Sequence, residues 1–189
     1  MECTKILTLS LLKKDYQLVV LFLFNIYLMN FTILKGSHYS NGSLYKLLNL
    51  VNTKNELAYL VKFDRSCIYD LGPSDNEDIN KLFGYSLGWN HHVNSARFGW
   101  NSKLGKINIY SYVYDREKRI SNLIDTLDTE SEHLLKLTLL DDNWIFEVDG
   151  KVSQVEVYQT IITGYKLWPY FGGNIVAPND MSIELSRVF

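Results

Sequence analysis

Proline is nearly missing from this chain, at Pro73, Pro169 and Pro178 among 189 residues, and no low-complexity tract replaces it. A long disordered linker is therefore excluded. Cysteine is scarcer still, with Cys3 near the start and Cys67 in the body. Two thiols cannot build a disulfide framework, and no Cys-His signature surrounds Cys67, which reads as a small core residue. Charge of one sign is also lacking. The formal net charge is -2, so nucleic acid gains no global electrostatic attraction and is not an expected partner. No apolar run is long enough for a bilayer span. No G-x-S-x-G elbow, phosphate-binding glycine loop or fixed-period repeat is present.

What remains is a tyrosine-rich chain, with 13 Tyr, 9 Phe and 4 Trp, written mostly in period two. In the stretch 142–157, Trp144, Phe146 and Val148 alternate with Ile145, Glu147 and Asp149. That period places alternate side chains on one face of a strand. Asp149-Gly150 tolerates positive φ and turns the chain into a return strand at Lys151, which predicts a β-hairpin. Similar short strands are expected at 31–33, 57–63, 67–71, 106–114, 120–127, 134–140, 164–169 and 181–188. Leu44, Leu47, Leu48 and Val51 stand at helical spacing and predict one short helix near 44–51. Strands of this length separated by polar turns predict an all-β fold, an antiparallel two-sheet sandwich of jelly-roll type.

The first thirty residues are composed differently. Lys5, Lys13 and Lys14 precede the apolar run Leu18 to Met29, whose length suits the centre of a secretory signal. Glu2 and Asp15 are acidic where such a leader is basic, and no small-x-small cleavage site follows. The expectation is a leader-like segment over 1–30 and one sandwich domain over 31–189, secreted or held at the cell surface. Contact with a membrane would run only through an uncleaved N-terminus. The alternative is a cytoplasmic chain whose N-terminus is a buried element.

The most unusual stretch is 82–100, LFGYSLGWNHHVNSARFGW. Sugar recognition needs aromatic faces together with planar amides and guanidinium groups. Trp89, Asn90, Asn94, Arg97 and Trp100 supply those types within twelve residues, and the face carrying Tyr110, Tyr112 and Tyr114 offers a second platform. Both tryptophans read equally as core, since large aromatics are mostly buried. His91 and His92 are adjacent, so they reach one ligand only if the segment is a turn. No H-x-x-x-H or H-E-x-x-H spacing supports zinc, and Asp75, Glu77 and Asp78 lack the ligand spacing of a calcium loop. No cofactor is expected.

The run Trp144 to Val152 resembles the concanavalin-A-like, laminin-G-like β-sandwiches, in which such a strand ends in an Asp-Gly turn. The closing stretch Tyr165 to Leu185 is similar to the last strands of secreted bacterial jelly-roll domains. The resemblance implies a two-sheet sandwich that binds carbohydrate and in some members cleaves it. Laminarinase-like enzymes of that fold carry E-x-D-x-x-E. Glu147 and Asp149 match its first two acids, but Val152 stands where the second Glu belongs. The expectation is thus a non-catalytic glycan-binding or surface-interaction domain, with Trp89, Asn90, His91, His92, Asn94, Arg97, Trp100, Tyr110 and Tyr112 against a glycan or cell-surface polysaccharide. One alternative is a glycoside hydrolase using Glu147 and Asp149. Another is a protein-interaction module using the tyrosine face.

Overall fold

The computed structural model describes residues 28–41, 50–52, 56–72, 75–158 and 163–188. Its strands are β1 (Leu28–Ile33), β2 (Leu50–Asn52), β3 (Leu57–Phe63), β4 (Asn80–Leu87), β5 (Ser95–Lys103), β6 (Lys106–Asp115), β7 (Lys118–Leu127), β8 (Glu132–Leu140), β9 (Asn143–Val148), β10 (Lys151–Glu156), β11 (Thr163–Leu167) and β12 (Met181–Arg187). They form two six-stranded sheets, ordered β1-β12-β3-β8-β9-β10 and β2-β11-β4-β5-β6-β7. Every pairing recorded is antiparallel. The chain is an all-β sandwich of jelly-roll type, closed by β1 lying beside β12.

Alternation explains the strands. On β9, Trp144, Phe146 and Val148 are buried while Ile145 and Glu147 are half-buried, and Met181, Ile183 and Leu185 repeat the pattern on β12. The Asp149-Gly150 turn takes positive φ at both residues, 47° and 86°, the two-residue geometry that matches strand twist. Between the sheets, Phe98 on β5 meets Phe146 on β9 edge to face, centroids 5.2 Å apart. Tyr59 on β3 meets Phe83 on β4 at 4.8 Å. Cys67 is a buried free thiol of this core, pushed far above its usual pKa by burial.

Three expectations change. Residues 50–52, where the helix expected near 44–51 would end, are strand β2 paired with β11, which satisfies the N–H and C=O groups on the edge of β11 that a helix would leave unpaired. Residues 42–49 lie outside the described residues, as do 1–27 with all of the apolar run but Leu28 and Met29, which begin β1. Strand β1 begins at 28, so the sandwich includes residues before 31. No strand forms at 67–71: Cys67 ends a 3-10 turn, Arg65–Cys67, and residues 68–71 run on towards β4 without strand pairing, because Asp64 caps the turn by accepting from Ser66 N on its Oδ1 at 2.8 Å. Among the described residues, no helix is long and apolar enough to cross a membrane.

Candidate functional site

On β5, Ala96, Phe98 and Trp100 join the core, so Ser95, Arg97, Gly99 and Asn101 face outward. On β6, Ile107, Ile109 and Val113 go inward, and Tyr110, Tyr112 and Tyr114 face out. The register aligns these residues in rows across the second sheet. One row runs Leu167, Gly84, Arg97, Tyr112, Ser121. On one side of it lies Tyr165, Ser86, Ser95, Tyr114, Arg119. On the other lies Tyr170, Lys81, Gly99, Tyr110. Arg97 is thus ringed by Gly84, Ser95 and Gly99, with larger side chains one position further out. Small neighbours inside a rim of large ones leave a hollow of about 390 Å³ over the sheet.

The hollow is basic and aromatic. Arg97 is only 6% exposed, its Nε has no hydrogen-bond partner, and it enters no ion pair among the described residues. Its guanidinium carbon lies 5.3 Å from the centre of the Tyr112 ring. Burial lowers its pKa, while the nearby Tyr112, Tyr114, Tyr165 and Tyr170 act the other way. Lys81 Nζ donates to the Ile79 carbonyl at 2.6 Å and sits 4.8 Å from the same ring. Burial, followed by the charge of Arg97, depresses Lys81 to about 8. Tyr112 is pushed up to about 12, first by burial and then by its hydrogen bond with Tyr114; burial also raises Tyr170. Among the described residues, no Asp or Glu lines this cavity. Asp78, which favours the charged form of Lys81, stands outside the lining.

The loop 88–94 between β4 and β5 adds two imidazoles. Asn90 folds it into a turn by accepting from His92 N on its side chain at 2.9 Å and from Val93 N on its carbonyl at 3.1 Å. That turn brings the adjacent histidines together, ring centroids 4.3 Å apart. His91 Nδ1 is 3.0 Å from the Tyr165 hydroxyl, and the His92 ring meets Tyr114 edge to face. Ser95 Oγ donates to the His91 carbonyl at 2.7 Å. Among the described residues, no group of three His, Cys, Asp or Glu side chains could hold a metal ion.

The structure brings His91, His92, Arg97 and Tyr112 together in one cavity and disperses the other candidates. Trp100 is 0% exposed between Phe63 and Tyr69, because even positions of β5 face inward; it belongs to the core and touches no external ligand. Asn90 and Asn94 shape the loop, the latter accepting from Arg116 N at 2.9 Å. Tyr110 donates to Asn101 at 3.3 Å within an amide network. Trp89 projects into solvent. Glu147 and Asp149 lie on the other sheet, where Glu147 pairs with Lys136 at 3.0 Å. Asp149 is bound to His133 at 2.7 Å and to Leu134 N at 2.8 Å. Tyr39, Lys81 and Tyr170, which sequence reasoning passed over, line the cavity; Tyr39 and Lys81 each bridge to Tyr170.

No protein-family model matches the chain, and no curated protein matches it. Solved structures do. The chain is similar to the alginate lyase AlyC3, with a TM-score of 0.55, 9% identity, and coverage of 84% of this chain and 71% of that one. It is similar to an alginate lyase from Alteromonas sp. 272, with a TM-score of 0.52, 8% identity and 85% of each chain covered. A third is the catalytic domain of an endo-1,3-beta-glucanase (laminarinase) from Thermotoga petrophila RKU-1, at 0.53, 8% identity, and 85% and 75% covered. At these identities the likeness establishes a shared fold.

Proposed function

We propose that the chain is an enzyme acting on an anionic, uronate-bearing polysaccharide, cleaving it by elimination. The observation that carries this reading is Arg97, a buried cation with an unbonded Nε and no ion pair, in a cavity that no carboxylate lines among the described residues. Burying an unpaired charge is costly, so the negative charge that completes the site comes with the ligand. A uronate carboxylate fits a guanidinium through two parallel hydrogen bonds. Hydrolysis by paired carboxylates needs two acids ~5 or ~6.5–9.5 Å apart on either side of the bond, and the cavity has none. Elimination needs none. Arg97 neutralises the carboxylate and so acidifies the C5 proton; an imidazole of the His91–His92 pair, the side chain suited to proton exchange near neutral pH, removes it. The electron pair forms the C4–C5 double bond as the C4–O4 bond breaks. A tyrosine that keeps its proton, Tyr112 or Tyr170, returns a proton to O4. That two of the similar structures are alginate lyases supports this choice of substrate class. Such polymers are met outside the cell, in keeping with the leader-like composition of residues 1–30.

The test is ultraviolet absorbance of the conjugated unsaturated uronate, followed with alginate, polygalacturonate and hyaluronan as substrates. Rising absorbance with at least one polymer, lost in Arg97→Ala, is the expected result. Tight binding with no product would return the chain to a lectin role. New reducing ends without the absorbance would indicate hydrolysis.

A further inference from the structure

We infer that Trp89, with the pair that Tyr158 makes with Arg116 on the turn to which the same loop is bonded, forms an outer subsite that holds further units of the polyanionic chain whose reacting unit lies on Arg97. The inference rests on the reading above. Trp89 is 84% exposed, an unusual state for the side chain with the largest apolar surface. Nothing about the loop obliges it. The loop is braced on both sides: Leu87 N donates to Asn94 O at 3.0 Å and Gly88 N to Thr163 O at 3.0 Å. Glu117 N donates to Val93 O at 3.0 Å, and Arg116 N to the Asn94 side chain at 2.9 Å. A loop fixed this firmly holds its tryptophan in water at little further entropic cost on binding. Two residues on, the same loop places His91 and His92 in the cavity wall.

The second element of the subsite is charged. The end of β6 and the start of β7 lie at the same end of the sheet as the loop, and the turn between them carries Arg116. Its guanidinium carbon stands 4.4 Å over the ring of Tyr158, which is itself 71% exposed. Arg116 also touches the Asp115 carboxylate at 3.4 Å but stays largely in solvent. Tyr158 is held by its own N–H, which donates to Asp115 Oδ1 at 3.3 Å. A stacking face and, at the same end of the sheet, a cation mounted on a second aromatic suit the apolar face and the carboxylate of successive uronate units. A neutral glycan would use the tryptophan and leave the arginine idle.

Fluorescence can isolate this residue, because Trp100, Trp144 and Trp168 are buried and acrylamide will quench chiefly Trp89. With the full chain, the quenching constant is measured alone, with each of the three polymers above, and with their unsaturated disaccharides. The expected result is that a polymer which binds shields Trp89, while its disaccharide, which fills the cavity alone, does not. Trp89→Ala should weaken polymer binding roughly tenfold and disaccharide binding much less, and Tyr158→Ala should act in the same direction. Arg97→Ala should weaken both ligands alike. Unshielded Trp89 under saturating polymer, with binding still lost in Arg97→Ala, would overturn the outer subsite and leave the proposed function standing. Binding that survives Arg97→Ala undiminished would overturn the proposed function, and the subsite with it.

Discussion

Arg97 is costly to the fold that contains it. A guanidinium with a buried, unbonded Nε and no carboxylate partner stands in the native state at the expense of solvation. Replacing it by methionine should raise stability by roughly 0.5–2 kcal/mol, at about 2–4 °C per kcal/mol for a chain of this size, while ligand binding disappears. A melting temperature that falls would mean the arginine is structural. Lys81 gives the same tension a pH dependence. Its folded value of about 8 lies below the ordinary 10.5, so between those values the unfolded chain binds the extra proton and stability rises with pH. Cys67 and the buried tyrosines Tyr59, Tyr69, Tyr85 and Tyr112 are shifted upward instead. They hold protons that the unfolded chain has released and pull the other way as the solution becomes alkaline. The quantity to measure is therefore the difference in melting temperature between wild type and Lys81→Met. It should move in favour of wild type from pH 8 to 10. An anionic ligand raises the Lys81 value, so affinity should be full below pH 8 and decline above it.

The strands set how these side chains meet. A Cβ on Gly84 would run into the Ala96 carbonyl and come within 2.6 Å of the Arg97 Cα, at the irregularity where β4 shifts register between Lys81 and Gly84. Gly84→Ala should push β4 from β5, lowering the melting temperature by several degrees and displacing Arg97, so activity should fall further than stability alone explains. By contrast Glu147 faces Lys136 directly across β8 and β9. Glu147→Gln should alter stability by less than ~1 kcal/mol, as partly exposed pairs do, and leave turnover as it was; a large loss of turnover would revive the paired-carboxylate reading. The contrast between these sites follows what local sequence can express. The 144–152 hairpin was legible because its alternation and its Asp-Gly turn are local signals. Arg97, His91 and His92 stood out as odd residues in one stretch. Lys81 and Tyr170 could not be found this way: they lie far apart in the chain and meet only through the antiparallel bridge beside β4. Trp100 misled because its chemistry suited a ligand, and only the parity of β5 shows that it points inward.

Across the whole molecule the two sheets do different work. The first sheet shows solvent a series of ion pairs, Lys62 with Glu130 and Lys136 with Glu147, and its inner face anchors the core. The second sheet turns one face to the same core. Besides the pairs of Lys103 with Glu77 and Lys106 with Asp128 at the β5–β6 turn, it carries Arg97 and Lys81 in the hollow on its other face, so the residue behind Arg97 matters to the site. That residue is Phe98, held against Phe146 across the sandwich. Removing Phe146 leaves a hole that a close-packed interior cannot fully collapse; Phe146→Ala should cost about 3–5 kcal/mol and lower the melting temperature by on the order of 10 °C. If the first sheet supports the site only by holding β5 in place, the variant should bind the anionic polymer normally well below its melting temperature and lose binding in step with unfolding. Thermal unfolding and binding measured on the same samples test this. Binding lost far below the transition would show that the floor of the cavity is set by core packing itself, with Phe98 transmitting the change to Arg97.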